Sequence, residues 1–134
     1  MKNNTQITDI DIQKLRNMLD GSEFLQENPA ILKKITEKIE NAVVVPQKQV
    51  LPYLVTMNSH VSVTHLNEER QLNFWLVYHD EINKRKDRVS VFTDLGISVL
   101  GLKTGDTFEI GESNEKFRIS GIYYQPEANH HYKL

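Results

Sequence analysis

The sequence predicts an α+β fold: a short N-terminal antiparallel helical hairpin, then an antiparallel sheet carrying one short helix. Three observations predict it. Apolar residues recur at helical spacing up to residue 42 and alternate at strand spacing after residue 60. A stretch with two prolines and no helical period separates the two regimes.

The first helix is signalled by Thr8-Asp9-Ile10-Asp11, a threonine N-cap with an acid three residues on, although aspartate is short for the return bond of a capping box. Ile12, Leu15 and Leu19 follow at helical spacing. Asp20-Gly21 is expected to end the helix, with the glycine in the left-handed conformation. Asn28-Pro29 starts the second helix, proline being suited to the first helical position. Its stripe of Leu32, Ile35, Ile39 and Ala42 has the spacing of a brief coiled coil. Each helix has one narrow apolar face, so the two are expected to pair, turning within 20–28. At 1.5 Å per residue such a hairpin is only about 20 Å long, and it needs something to lean on.

The segment VVVPQKQVLP (43–52) reads as a linker, which divides the chain into a hairpin at 1–45 and a sheet domain at 46–134. YLVTM (53–57) is a candidate edge strand. HVSVTHL (60–66), QLNFWLVYH (71–79), RVSVF (88–92), TFEI (107–110) and FRISGIYY (117–124) read as strands. NEER, DEINKRKD and GESNEK read as the turns between them. In VSVFTDLGISVLGLKTGD (89–106), Thr93 or Asp94 caps a short helix whose Leu95, Val99 and Leu100 can face the sheet. Gly101 reverses the chain, and Gly105-Asp106 turns it into the next strand.

Composition narrows the function. A chain of 134 residues with 39% hydrophobic and 25% charged residues is globular. A net charge of −2 argues against a protein held to nucleic acid by bulk charge. The absence of cysteine removes disulfides, thiolate zinc sites and thiol nucleophiles. No apolar run approaches the roughly 18–20 residues of a membrane span, and the N-terminus has no apolar signal core. A cytoplasmic protein without membrane contact is expected.

No Ser-His-Asp order, phosphate-cradling loop or catalytic carboxylate pair stands out, so no catalytic residue and no cofactor is assigned. His60 and His65 are five apart in a strand and point to opposite faces, and His130-His131 has no partner spacing, so no metal site is assigned. Lys84, Arg85, Lys86 and Arg88 form a basic patch around Asp87, suited to a solvated loop or to weak contact with nucleic acid or an acidic protein surface. Trp75, Phe74, Tyr78, Tyr123 and Tyr124 read as core aromatics, with a prolyl-isomerase-like pocket as the alternative.

Three stretches carry a resemblance. Gly96, Leu100, Gly101, Gly105 and Asp106, placed after a β run, resemble the C-terminal domain of the bacterial Gre transcript-cleavage factors. Val55-Thr56-Met57-Asn58-Ser59 and Tyr124-Gln125-Pro126-Glu127-Ala128 resemble the Rnk branch of that GreA/GreB family, as do Thr8-Asp9 and Leu15-Arg16. The resemblance implies an FKBP-like C-terminal domain that docks at the secondary-channel rim of RNA polymerase. It also implies a hairpin that enters the channel with acids at its tip; in Gre factors those acids help hold the magnesium ion for RNA cleavage.

Carried onto this chain, the docking loop is Thr93, Asp94 and Leu95, and the tip acids are Asp20 and Glu23. Phe92-Thr93-Asp94 lacks the proline of the Gre loop, Asn58-Ser59-His60 has histidine where the Rnk pattern has arginine, and His130-His131 replaces a Gly-Asp. The hairpin is also far shorter than a Gre coiled coil. The expectation is therefore a non-enzymatic regulator that binds polymerase without stimulating cleavage, with nucleic-acid contact weak or indirect, and monomeric unless the hairpin pairs two copies. The alternatives are an active cleavage factor and an FKBP-like module for another protein.

Overall fold

The computed structural model describes residues 5–79, 87–110 and 115–132. Within them the chain is a mixed α+β fold. Strand β1 (Gln6–Thr8) leads into helices α1 (Asp9–Gly21), α2 (Glu23–Glu27) and α3 (Pro29–Asn41), and strand β2 (Val43–Val45) follows. The second half holds β3 (His60–His65), β4 (Arg70–Val77), β5 (Arg88–Ser90), α4 (Asp94–Val99), β6 (Thr107–Ile110) and β7 (Glu115–Tyr124). These five strands form one sheet in the order β5-β4-β3-β7-β6.

Thr8 caps α1 as expected, its hydroxyl accepting from Asp11 N at 3.1 Å. Asp11 does not return the bond. It turns inward instead, where it is 5% exposed. Gly21 does not adopt a left-handed conformation. The chain stays helical through it and breaks at Ser22, which is extended and caps α2 by accepting from Leu25 N at 3.2 Å. The expected turn at 20–28 thus contains a helix of its own. Five residues are too few to show a period. Pro29 opens α3 as expected, but Asn28 makes no side-chain cap bond and donates instead to Phe24 O at 2.8 Å.

The expected linker is partly structured. Val43–Val45 pairs in parallel with Gln6–Thr8, register Gln6↔Val43, and Gln47–Gln49 forms a 3₁₀ turn. The β1·β2 pairing ties together the two ends of the helical excursion. Residues 53–57 form no strand; only Leu54 makes an isolated bridge, to Lys103.

The sheet is not wholly antiparallel. β3 pairs antiparallel with β4 and β7, and β6 with β7, but β4 and β5 run parallel, register Trp75↔Arg88. The ten residues between Val77 and Arg88 are longer than a tight hairpin needs. They are enough to carry the chain back past a three-residue strand. β4 and β5 therefore do not form the expected hairpin, and residues 80–86 of the expected turn DEINKRKD lie outside the described residues.

One hydrophobic cluster runs through both halves. Ile7, Leu15, Leu25 and Ile35 join Val61, Phe92, Leu100 and Ile119 in it, each no more than 1% exposed. Burial of this kind stabilises by about 25 cal/mol per Å² of apolar surface. Helices too short to stand alone thus gain their stability from the sheet domain.

Candidate functional site

The stretch from Ser90 to Asp106 is built around three close approaches. Thr93 caps α4, accepting from Gly96 N at 3.0 Å while its own hydroxyl donates to Ser90 O at 2.7 Å. Asp94 lies in the first turn, favourable for a carboxylate at the positive end of a helix. A Cβ on Gly96 would lie 2.1 Å from Ser90 O, so only glycine lets α4 rest on the end of β5. Gly101 has φ +84°, and its carbonyl accepts from Gln6 N at 3.2 Å, so the turn after α4 receives β1. Val99 and Leu100 face the core, as do Gly96 and Ile97, while Leu95 is only partly buried.

The helical segment lies against this loop. Lys34 of α3 donates to Asp94 Oδ1 at 2.5 Å, with both side chains about half exposed. Lys38, one turn on, donates to Ser98 O at 3.3 Å. Phe24 of α2 lies against His79, ring centroids 4.2 Å apart and planes tilted by 32°, and both rings lie about 6 Å from that of Phe92. Asp20 and Glu23 are exposed, and Glu23 adjoins Phe24, whose ring centroid lies 6.3 Å from that of Phe92, the residue before Thr93. Arg88 pairs in register with Trp75. Lys84, Arg85 and Lys86 lie outside the described residues.

Sequence reasoning missed Lys34, Lys38, Phe24 and His79. The two lysines read as the charged back of a surface helix, and their partners on α4 are 60 residues away. A signal existed for Phe24: Ser22-Glu23 opens a helix as well as Thr8-Asp9 does.

Burial pushes the Lys38 amine down to about 8. Between that value and its ordinary 10.5, the unfolded chain holds a proton that the folded protein has lost. Stability attributable to Lys38 therefore rises with pH across this window. Lys38→Met is expected to raise stability at neutral pH by about 1 kcal/mol and to flatten the alkaline rise. Urea melts from pH 7 to 10 measure both, and an unchanged rise would mean Lys38 is solvated.

The stretches 55–59 and 124–128 meet in the interior. Asn58, at φ 67°, donates its N–H to Leu76 O, and Ser59 O accepts from Leu76 N at 2.9 Å. Thr56 donates its hydroxyl to Glu127 Oε1 at 2.8 Å. Gln125 donates to both Leu51 O and Leu54 O at 2.8 Å. Asp11 completes the knot by accepting from Met57 N at 3.1 Å and from the Tyr78 hydroxyl at 3.2 Å. Burial raises the carboxyls of both Asp11 and Glu127.

The family described as transcription elongation factor, GreA/GreB, C-terminal, matches residues 53–124, which span β3 to β7 with α4 and the 55–59 turn. The chain belongs to the GreA/GreB family. The transcription elongation factor GreA of Christiangramia forsetii is 30% identical over 68% of this chain, and the match spans 58% of that protein's length. The "Regulator of nucleoside diphosphate kinase" of Escherichia coli is 26% identical over 96% of this chain and 95% of its own, so the Rnk likeness extends end to end. A solved GreA/GreB elongation factor from Nitrosomonas europaea has the same fold, with TM-score 0.71 at 24% identity over 92% of this chain and all of that one. Members of this family are factors that act on transcription rather than classical enzymes. Among the described residues, no helix is long and apolar enough to cross a membrane.

Proposed function

We propose that this GreA/GreB-family protein binds RNA polymerase at the rim of its secondary channel and modulates elongation without stimulating transcript cleavage. On this reading residues 46–134 are an FKBP-like docking unit and 1–45 a short hairpin held against it. Thr93, Asp94 and Leu95 make the contact, and the protein works in the cytoplasm as a monomer.

The observation that carries the reading is the setting of Asp94. Its carboxylate is partly exposed at the start of α4, and the cap of Thr93, the close approach at Gly96 and the Lys34 ion pair fix its position. Such a preorganised anion suits a basic rim. Asp20 and Glu23 are tethered beside the same loop through Phe24, so they would stay near the rim rather than reach a distant metal. The acidic tip then lacks the reach that cleavage requires, and the protein acts by occupancy.

Co-elution with core RNA polymerase tests this. Wild type is expected to co-elute, and Asp94→Arg is expected to lose at least tenfold in affinity while keeping its circular dichroism spectrum. Stalled complexes given excess protein are expected to release no 3′ RNA fragments. Undiminished binding by Asp94→Arg would remove the docking assignment, and fragment release would favour a cleavage factor.

A further inference from the structure

The sheet face turned away from the core carries a cluster of aromatic rings that the polymerase reading does not use. His60 of β3 lies flat on Trp75 of β4, ring centroids 4.4 Å apart and planes 4° from parallel. Tyr123 meets His60 edge-on at 5.4 Å, and Tyr124 meets Trp75 at 5.5 Å and His131 at 5.8 Å.

Neighbours in a regular strand point to opposite faces, yet Tyr123 and Tyr124 both join this cluster. A bulge in β7 opposite His60 and Val61 makes that arrangement. These rings are not core: Tyr123 is 59% exposed, and His60, Trp75 and Tyr124 are only partly buried. Beside them the same face is hydrophilic. Gln71 donates to Ser62 Oγ and to the Tyr123 hydroxyl, and Thr64 bonds Ser120.

Among the described strand residues the charge on this face is mostly basic, although the charge of Glu127 acts on Tyr124. Arg118 lies opposite Thr64, Arg88 opposite Trp75, and Lys116 opposite Glu109 of the edge strand. Among the described strand residues Glu109 is the acid on this side. Glu115 pairs with buried His65 and so belongs to the other face.

We propose that this face binds single-stranded RNA, its bases stacking on Trp75, His60 and the two tyrosines and its phosphates meeting Arg118 and Arg88. His60 and Trp75 cover one face of each other, and these partly exposed rings on a sheet, flanked by basic side chains, offer what unpaired bases need. Stacking is indifferent to base identity, and hydroxyl and amide groups within reach suit a 2′-hydroxyl. A second copy of this chain would bring the same positive charges against themselves. A duplex hides its base faces from such a platform. The chain's net charge of −2 keeps the affinity modest and salt-sensitive.

The test uses a short unstructured oligoribonucleotide with the full-length protein at low salt. Trp75 is the sole tryptophan, so a base stacked on it should quench the intrinsic fluorescence. Tyr123→Ala and Arg118→Glu are exposed changes that leave the core intact, and each is expected to weaken binding by roughly fivefold or more. Trp75→Ala should weaken it by about tenfold or more, with Trp75→Phe recovering much of the loss. Duplex RNA should compete poorly, and the same sequence as DNA should bind less tightly. The proposal is overturned by no quenching at any RNA concentration, by binding indifferent to Tyr123→Ala and Arg118→Glu, or by tighter binding of the DNA. It is equally overturned if sedimentation shows a dimer that Tyr123→Ala dissolves, since a second copy would then cover the face. None of these readouts involves polymerase, so this proposal and the docking assignment can fail separately.

Discussion

Gly96→Ala is expected to destabilise the protein by roughly 3 kcal/mol or more, lowering the thermal midpoint by about 10 °C. The added methyl would lie 2.1 Å from Ser90 O and 2.8 Å from Val91 Cα. Both are backbone atoms, so no side chain can swing away to make room. Helix α4 would have to lift from β5, breaking the Thr93–Ser90 bond and freeing Asp94 from its orientation. On the proposed docking function, the variant should therefore lose polymerase binding even below its melting temperature. Gly21→Ala is the control with the opposite sign. Nothing lies within 4 Å of its added Cβ, and it sits at the end of α1, where alanine's helix propensity should stabilise by up to about 1 kcal/mol. Thermal melts of the two variants decide the matter. If Gly96→Ala melts like wild type, α4 does not rest on the strand and the proposed docking loop is not preorganised.

The same glycine shows how far the sequence could be read. That α4 existed, that Thr93 could cap it and that Gly101 reversed the chain all followed from local rules, because caps and positive φ are local necessities. Four of the five strands of the main sheet were legible for the same reason: alternation over four or more residues is a strong pattern, and β3, β4, β6 and β7 lie within a few residues of the expected ranges. Three-residue strands carry no pattern. β1 and β2 exist only because each finds the other 37 residues away, Gln6 opposite Val43, and the proline-bearing stretch around β2 reads as linker. The direction of β5 was hidden too, since a return crossover and a loose hairpin have the same turn-rich composition.

The site was legible in part. Thr93 and Asp94 could be placed from the cap and the resemblance. Lys34 and Lys38 could not, because a helix with a charged back reads as solvated on that side whether or not another helix covers it. Nor did the sequence show that Asp11 turns inward: an acid three residues after a threonine cap reads as half of a capping box, and its true partners, Met57 N and the Tyr78 hydroxyl, belong to elements 46 and 67 residues away. That inward turn bears on how the helical segment is held. Through Asp11 it is bonded to the 55–59 turn and to the strand end at Tyr78, and through Ile7, Leu15, Leu25 and Ile35 it shares the core. Removing residues 1–45 would therefore strip the core rather than delete an accessory, which is why point variants serve better as tests of docking.

Asp11→Ala is the sharpest test of that attachment, with an expected cost of roughly 3 kcal/mol. It leaves the Met57 amide without its acceptor in a buried site and removes one acceptor of the Tyr78 hydroxyl. Asp11→Asn keeps the size and an acceptor oxygen, so at neutral pH it should fall within about 1 kcal/mol of wild type. The two proteins should then diverge with pH. Burial raises the Asp11 carboxyl despite the bonds from Met57, Tyr78 and Thr8 and the charge of Lys14, all of which favour the anion; Glu127, on the far side of the knot, is raised likewise. Between the ordinary carboxylate value of about 4 and the raised one, the folded protein holds a proton that the unfolded chain has released. Stability contributed by this group is thus complete below the ordinary value and is lost as pH rises through the raised one. Wild type should gain on Asp11→Asn as the pH falls from 7 toward 4, and Glu127→Gln in the same background should remove what remains of that limb. Urea midpoints across this range measure the difference. Parallel curves for wild type and Asp11→Asn would show that Asp11 titrates as an exposed carboxylate does, and the helical segment would then be held by its apolar face and its other polar contacts, those of Gln6, Lys34 and Lys38.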